Sequence, residues 1–318
     1  MRVAAIDLGT NTTRLLVADV GDGAVDEVVR RTAITRLGEG VDRRGRLLPV
    51  AIARVRNVLT DYRREAEALG AERALLVATS AVRDAENGEA FLGEIEWSYG
   101  FATRLLSGDE EAFMTYRGAG TERALDADTF VVDVGGGSTE LVAGMGGEIR
   151  FRASLDVGAL RLAERFLPSD PPPAGEVAEC SAFVADFLAR RLPPGLSAGR
   201  LVGVSGTVTT LAALDMGLEA YDRGLVDGSR VTVEGVERQL ERLAALPVAE
   251  RRLVPALEPE RAPVIVPGAI IVRAVMRHLG LDAIDVSERD ILDGTALAAA
   301  ALPAPAEGEA PPGAFTCC

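Results

Sequence analysis

One strand–turn–strand pattern occurs twice in this chain, and that constrains its fold more than any other feature. IDLGTNTTRLLV (residues 6–17) lies in register with VDVGGGSTELVA (residues 132–143). Asp7 matches Asp133, Gly9 matches Gly135, Thr12 matches Ser138, Thr13 matches Thr139 and Leu15 matches Leu141. In each copy an apolar, β-prone run enters a turn of small residues and a second such run leaves it. A dinucleotide-binding fingerprint would need a helix after the glycines, so that fold is excluded. Two hairpins of one design, half a chain apart, imply a duplicated α/β domain.

The physics of each copy is that of a phosphate-binding hairpin. Asp7 and Asp133, at strand ends, are placed to hold a hydrated divalent cation. Gly9, Gly135, Gly136 and Gly137 let backbone N–H groups converge on an anion with no Cβ in the way. Thr10, Asn11 and Thr12 in the first copy, and Ser138 and Thr139 in the second, add polar donors. The copies differ at one telling pair, Arg14 against Glu140.

Composition prunes the chemistry. All 34 basic residues are arginine, which excludes a Walker A lysine, a Schiff base and any lysine general base. The single histidine, His278, cannot build a polyhistidine metal site and reads as a surface or helix-terminal residue. GVSGT (203–207) has the outline of a hydrolase nucleophile elbow, but Thr207 stands where the last glycine belongs, so that reading fails. The net charge of −14 argues against general nucleic-acid binding. It still permits a polyanionic substrate where arginines, amides and a metal make the site locally positive. Three cysteines, Cys180, Cys317 and Cys318, form neither a disulfide framework nor a zinc pattern.

Within SGDEEA (107–112), Ser107 and Glu110 have capping-box spacing, so Glu110 should fold back on its helix start. That leaves Glu111 able to orient and deprotonate a water. ALLVATSAVRDAENG (74–88) reads as a strand running into a loop that carries Arg83, and RLVGVSGTVTTLAAL (200–214) as strand, turn and helix.

DLGTNT, TSAVRDA, SGDEEA, DVGGGSTE and GVSGTVTTLAAL occur in one order from Arg2 to about Ala301. With that ordered set the chain resembles the Ppx/GppA family, the exopolyphosphatases and guanosine pentaphosphate phosphohydrolases, in its short two-domain actinobacterial form. The resemblance implies two RNase H-like domains of the actin-like ATPase superfamily with an interdomain cleft. It implies that Glu111 activates the water attacking the terminal phosphorus, that Asp133 and Glu140 stand at the metal and water end, and that Arg83 contacts phosphate. Gly135, Gly136, Gly137 and Ser138, with Thr10, Asn11 and Thr12, would cradle phosphoryl oxygens. One Mg²⁺ (or Mn²⁺) and a homodimer are further implications. The chain departs from the family in VSERDILDGTAL, where Asp290, Leu292 and Asp293 replace the family's Gly, Arg and Glu. The resemblance is to the short members, so the C-terminal domains of longer ones are not expected here.

The expected reaction is hydrolysis of the terminal phosphoanhydride of inorganic polyphosphate, with pppGpp as the alternative substrate. A superfamily kinase is disfavoured because Ser205-Gly206-Thr207 replaces the Gly-Gly pair on which adenosine packs. A non-catalytic sensor is disfavoured because Glu111, Asp133 and Glu140 occur together. Domain I is expected over 1–117 plus about 289–302, domain II over 118–288, and a disordered tail over 303–318. MRVAAIDLG shows no signal segment and no stretch suits a bilayer, so a cytoplasmic protein without membrane contact is expected.

Overall fold

A computed structural model describes residues 1–122, 125, 128–145 and 148–303. The tail from 304 onward, with Cys317 and Cys318, lies outside the described residues. The chain divides into two compact units, Met1–Arg123 with Arg289–Cys318, and Ala124–Glu288.

The first unit runs β1 (Arg2–Leu8), β2 (Thr12–Gly21), β3 (Ala24–Ile34), α1 (Val41–Arg44), α2 (Pro49–Ala68), β4 (Arg73–Ala78), α3 (Ser80–Arg83), α4 (Gly88–Tyr99), β5 (Ala102–Leu105) and α5 (Gly108–Ala119). The second runs β6 (Thr129–Val134), β7 (Thr139–Met145), β8 (Glu148–Leu155), α6 (Ala159–Phe166), α7 (Ala174–Arg191), β9 (Arg200–Val204) and α8 (Ser205–Asp215). It continues with α9 (Arg223–Val226), β10 (Arg230–Thr232), α10 (Val233–Ala244), α11 (Val248–Arg251), α12 (Ile265–His278) and β11 (Ala283–Val286). The chain then returns to the first unit as α13 (Ile291–Ala300).

Strand order is β3-β2-β1-β4-β5 in one sheet and β10-β11-β9-β6-β7-β8 in the other. In each, an antiparallel three-strand meander is extended by parallel strands, β4 and β5 beside β1, and β9 and β11 beside β6. The duplication reaches below the letters of the sequence. Register shifts at Val17/Ala18 between β2 and β3, and at Ala143/Gly144 between β7 and β8, which are equivalent places in the two hairpins. Such an irregularity bends the strand and sharpens its twist, so both meanders curl at the same point.

The central strand β1 is buried on both faces, as a strand between two helical layers must be. Its alternation sends Ala4, Ile6 and Leu8 toward the α2 and α4 side, where Val55, Leu59 and Tyr62 pack, and Val3 and Ala5 toward α13. There α13 crosses α5 with backbone touching backbone. A Cβ on Gly118 would stand 1.7 Å from Asp290 O, and one on Gly294 2.1 Å from Met114 O. No larger residue fits either position, and this crossing fixes the start of α13 beneath the first hairpin. The second unit encloses one large core, into which Leu141, Val184, Leu211, Ile270 and Ile284 all project.

Candidate active site

Both turns close with the same bond: Gly9 N–H donates to Thr12 O at 2.9 Å, and Gly135 N–H to Ser138 O at 3.0 Å. What lies behind each turn decides what it can bind. Behind the second is the start of α6, whose amides need acceptors. Ala159 N–H donates to Gly135 O (2.9 Å), and Leu160 and Arg161 N–H donate to Gly136 O (2.9 and 3.2 Å). The Arg161 guanidinium adds a bond from Nε to Gly137 O at 3.0 Å. With three successive carbonyls turned toward α6, the planar trans peptides turn the N–H groups of Gly136, Gly137 and Ser138 the opposite way. The result is a row of donors facing away from the helix, as an anion requires. The first turn is built alike: Thr10 O accepts from Gly38 N–H (2.8 Å), and Asn11 O from Thr35 and Arg36 N–H (3.1 and 2.9 Å). Asn11 and Thr12 N–H therefore point away from that support. The buried Asn11 Oδ1 has no hydrogen-bond partner among the described residues.

At the strand ends the copies part company. Asp7 and Arg14 are cross-strand partners, and Asp133 and Glu140 occupy the equivalent register. The first pair neutralises itself, with Arg14 Nε and Nη2 donating to Asp7 Oδ2 at 3.0 and 2.8 Å. The second places two buried carboxylates at directly opposed positions, an arrangement of like charges that a cation would relieve. Ser154 Oγ donates to Glu140 Oε1 at 2.8 Å and orients that carboxylate. Among the described residues no cluster of three or more His, Cys, Asp or Glu side chains forms a metal cage. Two hard carboxylate ligands with water and phosphate oxygens completing the shell nevertheless suit Mg²⁺. The donor chemistry of Asp133 and Glu140 thus fits the ion expected from the sequence. Asp7 fits less well, since Arg14 already holds its Oδ2. Its buried Oδ1 lacks a hydrogen-bond partner among the described residues, and burial pushes its pKa above the usual aspartate value.

The hydroxyl of Thr139 departs from its expected role. It is fully buried and donates to Val157 O at 2.6 Å, which ties β7 to the segment before α6, so it is not a phosphate ligand. Its counterpart Thr13 is spent in the same way, on Thr35 Oγ1 at 2.9 Å.

The α5 start forms as its sequence implies. Ser107 caps Glu110 N–H and Glu110 folds back on Ser107 N–H, so Glu110 titrates below the usual glutamate value, chiefly through that backbone bond. Glu111 is buried and takes a bond from Arg83 Nη1 at 3.2 Å. The same Nη1 donates to Leu106 O at 2.8 Å, which anchors the guanidinium. Among the described residues both Arg83 bonds leave from Nη1, so Nε and Nη2 keep their donors for a phosphoryl oxygen. An adjacent guanidinium favours the ionised form of a carboxylate, the form a general base must have.

A cluster of buried charges behind the first hairpin has no obvious mark in the sequence. Arg14 Nη1 also bonds Asp290, Arg30 Nη2 bonds Asp293 Oδ2 at 2.8 Å, and Arg289 Nη1 bonds Asp293 Oδ1 at 2.9 Å. Asp290 and Asp293 form the capping box of α13. Burial alone would raise the Asp290 carboxyl, but Arg14 and Arg30 outweigh it and hold the group below its ordinary value. The two acids that depart from the family pattern are therefore counter-ions and helix cap at once. Only the Asp-x-x-Asp spacing before an apolar run hints at the cap. Arg161 and Gly158, which back the second turn, carry no sequence signal at all. At the GVSGT segment, Ser205 takes a left-handed backbone (φ 65°), and Thr207 Oγ1 donates to Val134 O at 2.9 Å.

Comparison with known proteins gives the chain's family and fold. The model of the Ppx/GppA phosphatase family matches residues 16–299. Exopolyphosphatase 2 of Mycobacterium tuberculosis is 43% identical over 315 residues, covering 94% of this chain and 98% of that protein. A solved exopolyphosphatase-like protein superposes with a TM-score of 0.87 at 34% identity, over 93% of this chain and 98% of the other. A solved Ppx/GppA family member from Aquifex aeolicus gives a TM-score of 0.79 at 32% identity, over 94% of this chain and 97% of that one.

Proposed function

This chain belongs to the Ppx/GppA phosphatase family, and we infer from its second hairpin that it is an exopolyphosphatase, a phosphoanhydride hydrolase that releases orthophosphate from the end of inorganic polyphosphate. The observation that carries this reading is the pairing of an outward row of amides at Gly136, Gly137 and Ser138 with two opposed carboxylates one strand position beyond the turn. The amides take phosphoryl oxygens and the carboxylates take a cation.

The roles follow from these groups. Amides of the second turn bind and orient a phosphoryl group, and the first unit offers its own turn amides and the spare donors of Arg83 to phosphoryl oxygens. Such positioning with charge neutralisation supplies most of the catalysis in phosphoryl transfer. Glu111 accepts the proton of the attacking water. The water oxygen bonds to the terminal phosphorus as the bridging P–O bond breaks in line, and the shortened polyphosphate leaves as an anion without needing a proton. Asp133 and Glu140 would hold one Mg²⁺ or Mn²⁺, which when bound adds further neutralisation of phosphoryl charge. We attach a cytoplasmic homodimer to this reading on family resemblance. Among the described residues no helix is long and apolar enough to cross a membrane.

The test is orthophosphate release from short polyphosphate, long polyphosphate, pppGpp and ATP at matched concentration with Mg²⁺. The reading requires a polyphosphate to have the highest kcat/KM. A preference for pppGpp would reassign the substrate, and turnover of ATP alone would overturn the proposal.

A further inference from the structure

The second unit carries a separate cavity of about 240 Å³, lined by Ser181, Ala185 and Leu188 of α7 and by Ile270, Arg273, Arg277 and His278 of α12. Three basic side chains converge there in a protein of net charge −14. The central one, Arg273, makes no ion pair with a carboxylate among the described residues. Its one hydrogen bond there runs from Nη2 to Ser181 Oγ at 2.8 Å, and that hydroxyl in turn donates to Val177 O at 2.7 Å. A guanidinium has five N–H donors in a planar fork, so most remain for another partner. Arg277 is held by Glu237, and Glu241 also acts on Arg273 at a distance, but neither glutamate bonds Arg273. Burial and the neighbouring Arg277 charge both press the Arg273 guanidinium below its ordinary value, as expected of a cation short of a counter-ion. The floor of Leu188 and Ile270 is apolar, which strengthens a charge–charge contact made above it.

We propose that this cavity is a second anion site that takes a phosphate-type oxyanion, orthophosphate or pyrophosphate, on Arg273 with Ser181, Arg277 and His278 around it. A guanidinium fork matches two oxygens of such an ion in bidentate fashion. The volume lies below the roughly 300 Å³ at which sites for drug-sized ligands begin, so the site suits one or two phosphoryl groups and not a whole nucleotide. Because orthophosphate is the product released at the hairpins, the cavity would let the protein register product away from the reaction. The site does not depend on the catalytic assignment, since its residues belong to other elements.

The protein supplies its own reporter, because His278 is its only histidine. The imidazole Hε1–Cε1 signal of histidine-labelled protein is followed at fixed pH while sodium phosphate, then sodium pyrophosphate, is titrated against sodium chloride at matched ionic strength. A saturable shift with phosphate or pyrophosphate and none with chloride is expected. R273Q should raise the apparent Kd at least about tenfold, or 1.4 kcal/mol. R277Q, at the more exposed rim, should weaken binding less and provides the comparison if R273Q does not fold. Indifference of the signal to both oxyanions, or an equal response in the arginine variant that folds, overturns the proposal. Polyphosphate hydrolysis by R277Q at low phosphate should stay near the parent value, so loss of the second site is distinguishable from loss of the first.

Discussion

A single methyl group behind the second turn should disable the enzyme by pushing on the back of the peptides whose amides meet substrate. A Cβ on Gly158 would stand 2.4 Å from Gly136 O and 2.5 Å from the carbonyl carbons of Gly136 and Gly137. The backbone at Gly158 is extended (φ −138°, ψ 161°), so alanine meets no conformational penalty there and the cost is purely steric. Relief of roughly 1 Å of overlap must come from moving the turn off α6, because the blocking atoms are backbone. Overpacking of this kind costs about 1–3 kcal/mol of stability. A displacement of about 1 Å in groups that position a reacting centre costs on the order of 10²-fold in rate. Gly158→Ala should therefore lower kcat for orthophosphate release about 100-fold with a modest fall in Tm. Gly175→Ala is the control, since a Cβ there meets nothing within 4 Å, and it should leave both quantities near the parent. A folded Gly158→Ala enzyme with the parent kcat would refute the argument that α6 sets the direction of the turn amides.

Three further outcomes are expected. Added Mg²⁺ should raise the parent Tm, by an equivalent of about 2.7 kcal/mol at 100-fold excess over Kd, and the Tm of Glu140→Gln far less. Thr139→Val should cost about 1–3 kcal/mol through the stranded Val157 carbonyl, read by urea unfolding, while its kcat stays close to the parent. Asp290 is held below its ordinary value, so the stability it contributes is complete above about pH 4 and is lost as pH falls through the folded value. Asp7, raised by burial, runs the other way, its ionisation costing stability as pH climbs from the usual aspartate value through the raised one. Asp290→Asn should accordingly flatten the acid limb of the stability–pH curve. At neutral pH it should cost about 1–3 kcal/mol, since Arg14 keeps Asp7 and Arg30 keeps Asp293 as counter-charge.

What could be read from the letters was what local rules govern. The paired hairpins announce themselves because Asp, Gly and hydroxyl residues recur at fixed spacing. The α5 cap does so because Ser107 and Glu110 lie one turn apart. Val55, Leu59 and Tyr62 fall on the buried face of α2 by helical period alone. What escaped was built by residues distant in the chain. Arg14 meets Asp290 only because Gly118 and Gly294 let α13 settle on α5, and no periodicity encodes that crossing. The supports behind the turns were hidden for the same reason, being mainly backbone N–H groups of residues 35–38 and 159–161, which leave no mark in the letters. The matched register shifts at Val17 and Ala143 leave no common letter, yet they mark the duplication as plainly as the aspartates do. Thr139 misled because its place beside Ser138 promised a ligand, when its buried hydroxyl is spent on the Val157 carbonyl.

The central claim is that Glu111, held by Arg83, takes the proton from the attacking water. Steady-state orthophosphate release from polyphosphate, parent against Glu111→Gln with saturating Mg²⁺, tests it most directly, because the substitution keeps shape and removes only basicity. The account predicts a fall in kcat of about 10²–10⁴-fold with KM little changed. Equal release by the two proteins would contradict it.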